Sequence, residues 1–163
     1  IAGFESAIKT LNFSMEGKKI LILGAGGVVP SIIFALKKME VSKIIISNRT
    51  KQKAENLKNS FDKLKVLDWG NLIDFDVIIN ATSLGLKNET IKLDFSSVGE
   101  NKLFYDIIYN PPQTNFLKKG KESGNLIENG KKMFIYQAAK AFKLWHNIEP
   151  VINRNIFKLL DDD

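Results

Sequence analysis

A doubly wound α/β domain, with a mostly parallel six-stranded sheet and helices on both faces, is the fold this sequence predicts. Three observations predict it. Short, continuous apolar runs of strand length recur along the chain. Amphipathic stretches of helical period separate them, and the first run breaks at Gly24-Ala25-Gly26-Gly27 directly into a helix. A strand that is apolar at every position has both faces buried, and strands alternating with helices make parallel sheets covered on each side.

Phe4, Ala7, Ile8 and Leu11 open the chain at helical spacing, and a polar turn at Glu16-Gly17 follows. Lys19 to Leu23 is the first strand. After the glycine turn, Ile32, Ile33, Ala35, Leu36 and Met39 fall on one face of a helix from Val28 to Met39, with Pro30 harmless in its first turn. Lys43 to Ser47 is a second strand. Thr50 is placed to cap a polar helix through Phe61. Lys65-Val66-Leu67 is a weak third strand and Asp76 to Asn80 a strong fourth. Leu103 to Ile108 is a fifth, stopped by Asn110-Pro111-Pro112. Thr114 can cap a helix to about Ser123, with Gly124 at its C-terminal end. Leu126-Ile127 is a short sixth strand, before a long helix from Lys131 to His146 and a last one around Asn153 to Leu160.

The 163 residues suit one domain, and we take 1–163 as a single unit. Cysteine is absent, which excludes disulfide scaffolds, thiolate zinc sites and cysteine nucleophiles. A single histidine, His146, argues against histidine metal cages and proton relays, so no metal site is expected; the residue itself reads as structural, at a helix end. No apolar run approaches the ~20 residues of a membrane span, and no membrane partner is expected. The net charge of +6 admits a polyanion partner or a coding bias that also yields 22 Lys, 20 Ile and 15 Asn. The lysines do not cluster beyond doublets, which favours the bias and argues against nucleic acid.

Gly24-x-Gly26 after a strand and before a helix begins the dinucleotide fingerprint of Rossmann-like domains. Gly24 permits the tight turn, Gly26 lets the backbone approach a pyrophosphate, and the helix start offers free N–H groups. Val29 stands where the fingerprint has a third small residue, so helix-to-strand packing there is expected to shift. The second strand ends in Asn48-Arg49-Thr50 with no carboxylate. A carboxylate would bind the ribose 2′-hydroxyl of NAD and repel a 2′-phosphate, whereas a guanidinium binds that phosphate through two hydrogen bonds. Only two of the 24 basic residues are arginine. One of them standing at this position favours NADP as cofactor.

Asn80-Ala81-Thr82-Ser83-Leu84-Gly85, Asp106-Ile107-Ile108-Tyr109-Asn110-Pro111 and the Gly130 to Ala139 segment follow in that order, with Trp145-His146 and Pro150 after them. Together with the glycine turn and Asn48-Arg49-Thr50, they resemble the C-terminal half of shikimate dehydrogenases, over nearly the whole chain. The resemblance implies reduction of 3-dehydroshikimate to shikimate with NADPH by a cytoplasmic biosynthetic enzyme, monomeric or homodimeric. It implies that Gly24, Ala25, Gly26 and Gly27 hold the pyrophosphate and that Asn48, Arg49, Thr50 and Lys53 surround the 2′-phosphate. Thr82, Ser83, Ile107 and the backbone of Gly130 would border the nicotinamide, and Tyr109 and Gln137 would contact the substrate. Val28-Val29-Pro30 and Ile107 depart from the family's usual residues without removing a polar ligand, so altered packing around the cofactor is expected.

Two of these residues also stand out physically. Met133, Gln137, Ala141 and Trp145 form an i, i+4 ridge, and an amide buried in it needs either a backbone contact or a polar ligand. Tyr109 lies just past a strand end, where it meets a ligand or packs on Pro111-Pro112. The family's acid–base lysine and aspartate belong to an N-terminal substrate domain ending just before the segment that matches Ile1 to Phe4. The chain, which starts at Ile1, is therefore expected to bind NADP(H) without catalysing, with no catalytic residue of its own. Its helices within 1–15 and 131–163 would face the substrate domain. The alternatives are the cofactor domain of a glutamyl-tRNA reductase-like enzyme, which lacks the late Gln-Ala-Ala helix motif, and a non-catalytic NADP-sensing or interaction domain.

Overall fold

A computed structural model describes residues 2–87 and 89–160. The elements, in order, are α1 (Ala2–Lys9), β1 (Lys19–Leu23), α2 (Val29–Lys38), β2 (Lys43–Ser47), α3 (Lys51–Ser60), β3 (Leu64–Leu67) and β4 (Val77–Asn80). β5 (Leu103–Asp106), α4 (Asn115–Glu122), β6 (Leu126–Glu128), α5 (Lys131–His146) and α6 (Arg154–Lys158) complete them. The strands form one six-stranded sheet in the order β3-β2-β1-β4-β5-β6, and every pairing is parallel.

The sheet has two buried faces because its strands are apolar at consecutive positions, and alternation divides them. Ile20, Ile22, Ile44, Ile46, Val77, Ile79, Leu103 and Tyr105 pack with α1, α2 and α3, and with Met133 of α5. Leu21, Leu23, Ile45, Ile78 and Phe104 face the other way, against Phe116 and Leu117 of α4 and against Phe75, Ile91, Leu93 and Phe95. Helices lie on both faces, but extended segments share the second with α4. Val29, at the fingerprint's third position, is fully buried in the first cluster.

Several boundaries differ from the sequence expectation for local reasons. β5 ends at Asp106, two residues early, because the Asp106 carboxylate takes the Ile108 N–H at 3.0 Å and turns the chain out of the ladder. The first helix ends before Leu11, where Thr10 donates its hydroxyl back to the Ala7 carbonyl at 2.7 Å. Thr50 occupies the N-cap position of α3 with an extended backbone, but its side chain makes no capping bond. Thr114 does cap α4, accepting from the Leu117 N–H at 3.4 Å, and Gly124 follows the helix with φ +73°. Asn153 caps α6 through bonds from the Asn155 and Ile156 N–H groups.

The ridge on α5 is largely unburied. Met133 is covered where α5 lies over α1, but Gln137 is exposed and Trp145, at the far end of α5, is 81% exposed. Gly3 sets that helix–helix approach: a Cβ there would stand 2.5 Å from the Met133 carbonyl and 2.9 Å from the Gln137 Cβ. His146 is exposed at the C-terminal end of α5, its ring 4.5 Å from that of Phe142.

Candidate functional site

The strand order places β2 on one side of β1 and β4 on the other, with the crossover direction reversing between β1 and β4. Loops leaving neighbouring strands in opposite directions leave a crevice at the carboxyl ends. A cleft of about 740 Å³ lies there, lined by Gly24, Ala25, Gly26, Asn48, Arg49, Thr50 and Lys53, with Ala81, Thr82, Ser83 and Leu84 from the end of β4. A second stretch, of about 490 Å³, continues past Gly26, Gly27 and Val28 to Ile107, Ile108 and Tyr109. Thr82 and Ser83 border both.

The glycine turn is built as the spacing requires. Gly24 has φ +108°, and a Cβ there would stand 2.7 Å from the Ala81 carbonyl oxygen, so the close approach of β1's end to β4's end depends on it. Its own N–H is spent on the Ser47 carbonyl at 2.8 Å. Gly26 and Gly27 have nothing within 4 Å of where a Cβ would be, and they face open space in the cleft. The N–H groups of Gly26, Gly27 and Val28 donate to no protein acceptor among the described residues. Three free amides at the start of a ten-residue helix form an anion cradle. A dinucleotide's pyrophosphate fits that donor set.

Across the turn, Arg49 is exposed and has no ion-pair partner among the described residues, and the same holds for Lys53, one helical turn on. Lys51, between them, points away and pairs with Asp68 at 2.7 Å. Asn48 shapes this corner by donating from Nδ2 to the Thr50 carbonyl at 2.8 Å. Two unneutralised cations therefore face one end of the cleft.

Sequence reasoning missed the polar network below the site. Asn80 ends β4 and Asp106 ends β5, side by side in register and both fully buried. Asn80 donates to the Asp106 carboxylate at 3.0 Å and to the Leu84 carbonyl at 3.1 Å. Its Oδ1 accepts from the Thr82 N–H at 3.0 Å and the Thr82 hydroxyl at 2.7 Å. The Thr82 hydroxyl in turn accepts from the Leu84 N–H at 3.1 Å. Asp106 also receives the Thr114 hydroxyl at 2.6 Å. Burial pushes the Asp106 carboxyl above its ordinary range, opposed by the hydrogen bonds from Thr114, Ile108 and Asn80. These bonds fix the shape of the Thr82–Leu84 turn that floors the cleft. The available signal was the single polar residue closing each apolar strand.

The remaining predicted residues divide. Gly130 starts α5 with its N–H on the Ile108 carbonyl at 3.0 Å, and a Cβ there would collide with the Ile107 carbonyl, so its backbone packs on these two cleft-lining residues without lining the cleft itself. Tyr109 lines the second stretch, and its ring stacks on Phe134 at 5.0 Å. Gln137 lies outside the cleft on the exposed face of α5, so no buried amide there demands a partner. The cleft also gains residues no motif indicated, namely Trp69, Glu89, Thr90 and Lys92.

Comparison with known proteins places this geometry. Residues 5–108 match the family model described as shikimate / quinate 5-dehydrogenase. The chain is 52% identical over 162 residues to the shikimate dehydrogenase (NADP(+)) of Pelagibacter ubique, covering 99% of this chain and 61% of that relative. A shikimate dehydrogenase structure from Aquifex aeolicus superposes with a TM-score of 0.86 at 34% identity, over 99% of this chain and 59% of that one. One from Thermus thermophilus, in complex with NADP(H) and shikimate, superposes with a TM-score of 0.83 at 28% identity, over 97% of this chain and 59% of that one. The sequence therefore spans about three fifths of these relatives, matching the expectation of a C-terminal portion. With its all-parallel sheet, its glycine turn and this match over residues 5–108, the chain belongs to the shikimate / quinate 5-dehydrogenase family.

Proposed function

We propose that this chain is the cofactor-binding part of an NADP-dependent shikimate dehydrogenase, and that alone it binds NADP(H) without turning over shikimate. The observation that carries the reading is Arg49: a guanidinium with no ion-pair partner among the described residues, in the same cleft as three amides at the start of α2 that are free among those residues. That pairing suits a pyrophosphate and a 2′-phosphate on one ligand. The NADP-named relatives and the NADP(H)-bound neighbour support it.

Gly24 to Gly27 would seat the pyrophosphate, with the amides of Gly26, Gly27 and Val28 as donors. Asn48, Arg49, Thr50 and Lys53 would enclose the 2′-phosphate. Thr82, Ser83 and Ile107, with the Gly130 backbone, would border the nicotinamide and exclude water from one side of it. When bound, NADPH supplies a hydride for ketone reduction. Protonating the developing alkoxide needs a positioned acid. Among the described residues lining this end of the cleft, Tyr109 carries the one phenolic hydroxyl, and it would contact the substrate there, with Gln137 reaching the substrate from the exposed face of α5 outside the cleft. The family's lysine and aspartate would come from a substrate domain meeting the chain along α1 and the α5–α6 face, where Phe142, Leu144 and Trp145 are exposed.

Calorimetric titration of the 163-residue chain tests the binding half. NADP is expected to bind more tightly than NAD, and equal affinities would overturn the 2′-phosphate assignment. An assay for shikimate-dependent NADPH formation tests the other half. Measurable turnover by the chain alone would overturn it.

A further inference from the structure

We infer that Trp69 is the platform on which the adenine of the dinucleotide stacks, with Arg49 closing the opposite side. The inference deepens the proposed cofactor reading and rests on it. Trp69 follows β3, the edge strand paired with β2. Ser47 and Leu67 are partners in that ladder, so Arg49 and Trp69 each stand two residues beyond one paired position. Adjacent strands lie about 4.8 Å apart, which brings the two loops to the same corner of the cleft, and both residues line it. The Lys51–Asp68 ion pair, at 2.7 Å, ties the start of α3 to the residue just before Trp69 and holds the two loops together.

The indole is half-buried. Part of it packs on the second apolar cluster beside Leu67 and Leu72, and the residue also lines the cleft. Its free face is distinctive in this molecule. Lysines stand over the rings of Phe13, Phe34, Phe61, Phe75 and Phe95 at 5.2–5.8 Å. Among the described residues, Trp69 has neither a cation nor a second ring against it, and its indole N–H has no protein acceptor. A flat aromatic surface with an unused polar edge, beside an unneutralised guanidinium, suits a purine carrying a phosphate on its ribose. The nicotinamide end lies at the other extreme of the cleft, by Ile107 and Tyr109, which leaves the β2–β3 corner for the base.

The chain has two tryptophans, Trp69 and Trp145, so W145F leaves Trp69 as the sole indole emitter. Adenosine 2′,5′-bisphosphate is expected to quench its fluorescence saturably, and nicotinamide mononucleotide is not. W69A should weaken adenosine 2′,5′-bisphosphate about tenfold, the scale of a lost base stack. W69F keeps a ring, so it should retain most of the affinity, and it also preserves the test if the alanine variant unfolds. Saturable calorimetric binding of adenosine 2′,5′-bisphosphate with unchanged Trp69 emission would overturn the stacking role and leave the cofactor reading intact. Absence of calorimetric NADP binding by the unaltered chain would remove both.

Discussion

Asn80 donates its side-chain amide to the Asp106 carboxylate at 3.0 Å, across neighbouring strands that hold the two residues in register. Neither residue lines the cleft. Their bond joins the ends of β4 and β5 beneath it, and through Asn80 it sets the Thr82–Leu84 turn. The site is thus shaped by buried polar groups that no ligand would touch.

Thr114 is the outer member of this network, giving its hydroxyl to Asp106 at 2.6 Å while capping α4. T114A removes both and should cost about 1–3 kcal/mol, whereas T114S should recover most of it. Urea unfolding of the three proteins checks this.

The Asp106 carboxyl gives a pH dependence of definite sign. Burial raises its folded-state value above the ordinary 3.8, so between those values the folded state binds more protons than the unfolded chain. Its stabilising contribution is complete below pH 3.8 and declines as pH rises through the raised value. D106N has nothing to titrate there. The difference in Tm between the native sequence and D106N should therefore shift against the native sequence as pH rises from about 3.8, while other carboxylates cancel between the two.

Two glycines two residues apart should fail in different ways. At Gly24, φ is +108° and a Cβ would meet the Ala81 carbonyl, so G24A should lower Tm and cofactor affinity together. Gly26 has open space at its Cβ position, so G26A should fold with unchanged Tm. Its methyl would nevertheless fill the cradle a pyrophosphate approaches, and NADP binding should fall. Differential scanning calorimetry and titration separate the two outcomes.

Arg49 should carry the discrimination between cofactors. R49A is expected to weaken NADP roughly tenfold to a hundredfold, the scale of a lost pair of charge-assisted bonds, and to leave NAD nearly unchanged. R49K should recover only part of that loss, since an ammonium cannot bind a phosphate bidentately. Competition titrations at fixed ionic strength measure both.

Gly3 should prove structural. A Cβ would crowd the Met133 carbonyl and Gln137, forcing α1 off α5 at a cost of about 1–3 kcal/mol. Hydrogen exchange in α1 should accelerate in G3A while the β1–β4 amides remain protected.

Most of the architecture is a property of short stretches of sequence. Lys19 to Leu23, Lys43 to Ser47 and Val77 to Asn80 are buried strands because consecutive apolar residues leave no face for water. Gly24 and Gly26 announce their turn because no side chain fits where the backbone must pass. The parallel sheet and the place of Arg49 in the cleft were legible on those terms, and the family through the resemblance of several motifs taken together. Strand order, which periodicity does not encode, decided the rest. Asn80 finds Asp106 only because β4 lies beside β5, and Trp69 reaches Arg49's corner only because β3 flanks β2. Gln137 looked buried on a helical projection, yet it is exposed, because α1 meets it at Gly3, which has no side chain to cover the amide. A local pattern sets which face a residue takes, and only the packed elements decide what that face meets.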